Sequence, residues 1–298
     1  MKRTLRKMGF MSEVETRSDR VEEHHYRRGD IDICFILNRA HGHLRVFDYR
    51  VGNYQQKRDF FDRIARTEHL RKVFTVVEKQ DSKSWRAVGF SREGAIPGYF
   101  RTADAYVMSR VYDDQGDPLP NAAPRVLTPA HVHRPAKAAK NKGVTTELVE
   151  SAAKILELTE KLGREALYAP FRRRFFAPDL VMRGCETKRE FWVGAELDSS
   201  FGHAKIDLMN PPTDESEVAP TAASLGALLD ELDRREIASA FALCPVDWPL
   251  AGAVYAEQGF KVTARLVDHA ARDDSFVELQ VWHKRISLLA PPKAPPFI

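Results

Sequence analysis

The residue types that could do chemistry in this sequence are scattered rather than grouped by spacing. Cys34, Cys185 and Cys244 are far apart and odd in number, which predicts free thiols in a reducing compartment rather than a disulfide framework. His24-His25, His41/His43 and His131/His133 are short pairs with no second cluster at ligand spacing, so no metal site is expected. Glu186, Glu190, Asp207 and His203 fall on or near expected central strands, where a carboxylate or imidazole could take a proton from an amine. Nothing in their spacing singles one out. Arg172-Arg173-Arg174 lies between aromatics in FRRRFF and could hold phosphates or stack on bases. A helix end with solvated arginines and packed phenylalanines is the plainer reading, and nucleic acid is not an expected partner.

These residues need a scaffold, and composition bounds it. With 43% hydrophobic and 30% charged residues the chain is too apolar for a disordered protein, and its 298 residues suit two domains. No run approaches the roughly 18 apolar residues of a membrane span. The basic start, MKRTLRKMGFMSEVETRSDR, lacks the apolar core of a signal peptide. The sequence therefore predicts a cytoplasmic protein with a solvated tail over 1–29. A basic, Pro- and Ala-containing stretch, 116–144, reads as a linker, and the Pro-rich 289–298 reads as a second tail. The two modules are then 30–115 and 145–288.

Within each module strands and helices alternate. In the first, strands are expected at Ile31 to Leu37 and Leu44 to Tyr49, then a helix over 54–68 with Phe60, Phe61, Ile64 and Ala65 on one face. A buried strand, Val73 to Val77, precedes a short helix through Trp85 that ends at Gly89. Two strands, SREGAI and AYVMSRVY, close the module around a Pro97-Gly98 turn. In the second module a helix is expected over 145–163, strands near 190–197 and 202–209, and a helix over 221–236 with Leu225, Leu228, Leu229 and Leu232 at i, i+3, i+4 and i+7. A strand (Ala238 to Leu243), a short helix (Pro249 to Gln258) and Gly259-Phe260 follow. Both halves thus run from a strand and short helix into Gly-Phe and then a strand pair, which indicates duplication.

The segment YAEQGFKVTARL resembles the closing signature of GCN5-related N-acetyltransferases, the GNAT superfamily. LRVFDYRVGN, VGFSREGAIPGYFRTADAYVMSRVY and GFKVTARLVDHAARDDSFVELQVWHKR are similar to segments of the two-part β-lysine N-acetyltransferases. The resemblance implies an α/β (α+β) fold of two tandem GNAT-like modules, with mixed, mostly antiparallel sheets flanked by helices. It also implies acetyl-CoA as cofactor, with its diphosphate cradled by backbone N–H groups at a helix start. The family loop, (Gln/Arg)-x-x-Gly-x-(Gly/Ala), falls here on 210–223. One register places Glu217, Pro220 and Ala222 at its key positions, and a second places Ala223 and Gly226 there. Ala222, Ala223 and Gly226 are therefore the candidate cofactor-binding residues, in a loop that departs from the pattern: proline donates no N–H, and Asp214, Glu215 and Glu217 oppose an anion. Lys205, Arg234 and Arg235 offer a lateral route to the phosphates. Tyr255 matches the tyrosine that protonates the departing thiolate in many family members, and Trp248 replaces a frequent asparagine.

Two functions are consistent with this reading. One is transfer of an acetyl group from acetyl-CoA to a small amine by the second module, with Tyr255 as acid. The other is a catalytically inactive GNAT-type scaffold that binds a protein partner. The sequence sets neither the acceptor nor the oligomeric state.

Overall fold

The computed structural model describes residues 10–15, 21–29, 31–39, 41–48, 52–100, 103–120, 143–162, 178–272 and 275–287. Arg172 to Arg174, His131/His133, most of the expected linker and the Pro-rich tail lie outside the described residues. No described helix is long and apolar enough to cross a membrane.

The first module contains β1 (Phe10–Glu15), β2 (Val21–Arg28), β3 (Ile31–Asn38), β4 (His43–Asp48), α1 (Tyr54–Glu68), β5 (Lys72–Glu78), α2 (Ser82–Val88), β6 (Ser91–Phe100) and β7 (Ala103–Val111). The second contains β8 (Thr145–Val149), α3 (Ala152–Lys161), β9 (Leu180–Glu186), β10 (Arg189–Asp198), β11 (His203–Leu208), α4 (Val218–Arg234), β12 (Ser239–Pro245), α5 (Pro249–Glu257), β13 (Lys261–Arg272) and β14 (Ser275–Arg285). From β3 and from β10 onward the order of elements is the same.

All strands join one 14-stranded sheet in the order β1-β2-β3-β4-β5-β7-β6-β13-β14-β12-β11-β10-β9-β8. Read inward from either edge, the repeat is the same, and the halves meet where Gly94 of β6 pairs with Ala264 of β13. Strand pairing is antiparallel except for β4–β5 and β11–β12, which sit at equivalent places. The α/β, mostly antiparallel architecture with flanking helices is thus present in both modules.

Among the described residues four apolar clusters hold the sheet, the smallest being Ile155, Val181 and Met209. Phe60, Phe61, Ile64 and Ala65 of α1 cover Ile33, Phe35, Leu44 and Val73. Leu225, Leu228, Leu229 and Leu232 of α4 cover Ala204, Ile206, Ala240 and Ala242. The third cluster lies on the opposite sheet face and belongs to both modules: Ile96, Tyr99 and Val107 pack with Phe241, Leu266 and Val281. At about 1.5–3 kcal/mol for each large apolar side chain buried, this shared cluster ties the halves into one unit.

Four expectations are corrected. Residues 1–29 supply β1 and β2 rather than only a tail, because alternate residues of the polar-looking VEEHHYRR turn inward. His24 stacks on Phe35 (5.3 Å between ring centres) and Tyr26 on Phe60 (4.5 Å). The span 145–163 divides into β8 and α3, with Leu148 paired in the sheet opposite Met182. Pro97-Gly98 is not the hairpin turn: both residues lie within β6, in an irregular stretch between Ile96 and Phe100, and Gly98 N–H donates to Asp104 Oδ1 at 2.9 Å. Strand β9, absent from the sequence reading, pairs with both β8 and β10.

Candidate functional site

The parallel ladder between β4 and β5 covers His43–Lys72, Leu44–Val73 and Arg45–Phe74 and then stops, although β4 continues to Asp48 and β5 to Glu78. The strands fork there, and the Thr75 hydroxyl donates to the Val46 carbonyl at 2.9 Å across the fork. A cleft of about 350 Å³ opens between the strand ends. Its walls combine Val46, Phe47 and Asp48 of β4 with Thr75 to Glu78 of β5, Gly52, Tyr54 and Lys57 at the start of α1, Ser84, Trp85 and Val88 of α2, and Phe100 of β6. Because side chains alternate across a strand, Val46 and Phe47 belong to opposite sheet faces.

The start of α1 is suited to face this cleft. Gly52 (φ 102°) and Asn53 (φ 52°) both adopt left-handed backbone, which turns the chain into the helix, and no acidic residue stands in the first turn. Lys57 is buried in that turn, with 2% of its side chain exposed, and pairs with Asp48 at the end of β4. Across the mouth the Tyr54 hydroxyl donates to Ser84 Oγ at 3.5 Å. Three carboxylates, Asp48, Glu78 and Asp81, line the cleft with Lys57. An apolar slot with a cation near a helix start and carboxylates at its rim can hold an extended ligand and accept a proton from an amine.

The second module has the same fork after Ile206–Ala242, but its surroundings differ. Leu208 and Cys244, at its opening, are buried in the α4 core. Burial, with the nearby Asp207 carboxylate, pushes the Cys244 thiol up to about 12. The turn before α4 is held by the chain's own carboxylates: Asp214 accepts the Ser216 N–H (2.8 Å), and Glu217 accepts the Thr213 N–H (2.8 Å) and hydroxyl (3.0 Å). Arg189 Nη1 stands 3.8 Å from Glu217 and 3.9 Å from Asp214. Pro220, the third residue of α4, is buried and has no N–H to offer.

The sequence candidates are placed as follows. Ala222 is fully buried, and its carbonyl accepts Gln258 Nε2 at 2.8 Å. Gly226 leaves room for the same Gln258 side chain, 3.2 Å from where a Cβ would stand. Ala223 is half-buried between them on α4. Tyr255, 2% exposed, packs between Phe260 and Trp282, with ring centres 5.5 and 6.0 Å away. Its place in the repeat matches Trp85, because Phe90 N–H donates to the Trp85 carbonyl as Phe260 N–H does to that of Tyr255, both at 3.0 Å. Arg234 and Arg235 pair with Glu231, and Arg235 also with Glu150. Glu190 is held below the usual carboxylate range by its bond to Arg183. His203 belongs to the module interface, its Nδ1 lying 2.8 Å from the Tyr99 carbonyl.

The first-module cleft was not among the sequence candidates. The signal available for it was negative: an amphipathic helix preceded by Gly52-Asn53 whose first turn carries no acid.

No protein-family model matches the chain, and no curated protein does. Solved structures overlap it loosely. A putative acetyltransferase from Salmonella typhimurium with its cofactor acetyl-CoA aligns at TM-score 0.38 and 13% identity, over 51% of this chain and 99% of that one. The ribosomal-protein-S18-alanine N-acetyltransferase from Escherichia coli aligns at TM-score 0.34 and 15% identity, over 50% and 97%. A chimera of the Vibrio cholerae spermidine N-acetyltransferase aligns at TM-score 0.37 and 13% identity, over 48% and 95%. Likeness at this level assigns no activity.

Proposed function

We propose that the chain is a fused pair of GNAT-like modules whose first module binds a CoA thioester in its forked strands and transfers the acyl group to a small amine. The second module is its closed, structural partner. The observation that carries this reading is the cleft through the β4–β5 fork, open in one module and matched in the other by buried Leu208 and Cys244. The duplicated element order and the sequence resemblance support the family. The approach to each helix supports the choice of module: neither helix has a first-turn carboxylate, but α1 follows Gly52-Asn53, whereas α4 follows a turn that carries Asp214, Glu215 and Glu217.

In this reading the cleft between the parted ends of β4 and β5 receives the extended arm of the thioester. A CoA thioester held there would supply an acyl carbon for attack by a neutral amine, with the thiolate as leaving group. Asp48, Glu78 and Asp81 bind the incoming ammonium and take its proton. Trp85 stands where the second module has Tyr255, so the thiolate is reprotonated by water or by the acceptor's own proton. This reading assigns cofactor binding to Gly52, Tyr54, Lys57 and Thr75 instead of Ala222, Ala223 and Gly226, and gives Tyr255 no catalytic role.

A second reading has its own observation. The same three carboxylates disfavour a diphosphate within the cleft, and a cleft that takes amines without CoA would make the protein a binding scaffold. Calorimetric titration with acetyl-CoA separates the two: heat with saturation supports the transferase, and silence at millimolar ligand supports the scaffold.

A further inference from the structure

Each module extends a bent strand pair onto the other, and the two contacts are related by the repeat. At the bend of β6, Tyr99 stacks on His203 (4.3 Å between ring centres) and lies 5.7 Å from Phe241. At the bend of β13, His269 lies 4.8 Å from His43 and 4.8 Å from Phe74. His43 and His203 both open the parallel strand after a left-handed glycine, Gly42 or Gly202. One arm thus docks a tyrosine on a histidine, and the other docks a histidine on a histidine.

The second contact contains a third imidazole. His41, 4% exposed, accepts the Ala271 N–H on Nδ1 at 3.0 Å, so that nitrogen carries no proton in the docked arm. His43 and His269 are fully buried. The other charged groups around them are already matched. Lys72 of β5 pairs with Glu93 of β6 at 2.8 Å, Arg71 with Asp268 at 2.8 Å, and Arg265 with Glu278. Lys205 of β11 adds a further positive charge.

We propose that His41, His43 and His269 form an acid-labile latch, which holds the β13–β14 arm on the first module at neutral pH and releases it in mild acid. Protonating His41 removes the acceptor for Ala271. Protonating His43 or His269 places a cation in a dry contact that faces Lys72 and, once both are charged, another imidazolium. Burial first, and then the Lys72 ammonium, hold both His43 and His269 well below the ordinary histidine range. The sign follows: the unfolded chain binds these protons near pH 6.5 and the docked arm does not. The latch is therefore complete above about pH 6.5 and weakens as pH falls below it. The arm that carries Tyr99 brings no imidazole of its own. Its contact holds His203, whose Nδ1 lies 2.8 Å from the Tyr99 carbonyl and donates to it equally well when the ring is protonated. It also holds His283 of β14, which faces the Pro97 backbone and is held below the ordinary histidine range by burial.

Two measurements on the full chain test this. His269→Tyr copies the residue of the other arm, and between pH 7.5 and 5.5 the melting temperature of the wild type should fall about 5 °C further than that of His269→Tyr. Equal falls would overturn the latch. Should His269→Tyr fold poorly, hydrogen exchange of the wild type, corrected for the intrinsic effect of pH, gives the same answer. Peptides over 264–272 should lose protection at pH 5.5 while those over 94–100 keep it. Equal loss in both, or loss in neither, also overturns it.

Discussion

Gly94 and Ala264 face each other where β6 meets β13, and each stands at the same place in its repeat, four residues beyond Phe90 or Phe260. A pseudo-twofold axis between the modules therefore passes through this contact, as in a symmetric dimer interface where one residue meets its own counterpart. A Cβ on Gly94 would stand 2.1 Å from the Ala264 Cβ and 2.5 Å from its Cα. The approach of the two backbones depends on the missing methyl group.

Gly94→Ala should cost about 1–3 kcal/mol of stability in denaturant unfolding, from overpacking against a backbone that cannot yield. Ala264→Gly in the same chain should recover most of it, since the methyl is then moved across the axis rather than added. A double variant no better than Gly94→Ala would show that the contact is looser than it stands here.

Lys72 and Glu93 form a buried ion pair that also grips the second module. Lys72 Nζ donates to the Val267 carbonyl at 2.7 Å, and Glu93 accepts the Val267 N–H at 2.9 Å. Lys72→Met strands a buried carboxylate and should cost about 3–5 kcal/mol, read from chemical denaturation. Lys72→Met/Glu93→Gln should cost clearly less, because no charge is then left unpaired. Equal costs would mean that the lysine contributes packing alone.

Tyr255→Phe should leave any acyl-transfer rate unchanged and shift stability by less than about 1 kcal/mol, since the ring contacts with Phe260 and Trp282 remain. Turnover lowered tenfold without unfolding would return catalysis to the second module.

Thiol labelling reports how closed that module is. Cys244 is buried and its thiol is pushed up to about 12, so native protein should label at the half-buried Cys185 well before Cys244. Rapid labelling of Cys244, counted by peptide mass, would mean that the second fork opens in solution.

Part of this was legible in the sequence. Helix α1 coincides with its expected span because Phe60, Phe61, Ile64 and Ala65 mark a stripe of period 3.6, and the repeated Gly-Phe predicted the duplication. Strand β2 was hidden because its inward residues, His24 and Tyr26, are polar by type and apolar only in their stacking. Pro97-Gly98 carries the composition of a turn yet serves as an irregularity within a strand. The cleft was illegible for a different reason. It is made by two strands parting after Arg45–Phe74, a backbone event without a residue signature, whereas the family loop pattern falls on the approach to α4, where the chain's own carboxylates fill the preceding turn.

In the proposed function the first-module fork holds the CoA thioester. That assignment is tested most directly by calorimetric titration of acetyl-CoA into the wild type, Ser84→Trp and Ala223→Trp. Ser84 lines the cleft, and Ala223 is half-buried on α4 of the second module. Micromolar binding to the wild type is expected, with affinity lost at least about tenfold in Ser84→Trp and kept in Ala223→Trp. No binding by the wild type at millimolar acetyl-CoA, or loss in Ala223→Trp with none in Ser84→Trp, would contradict it.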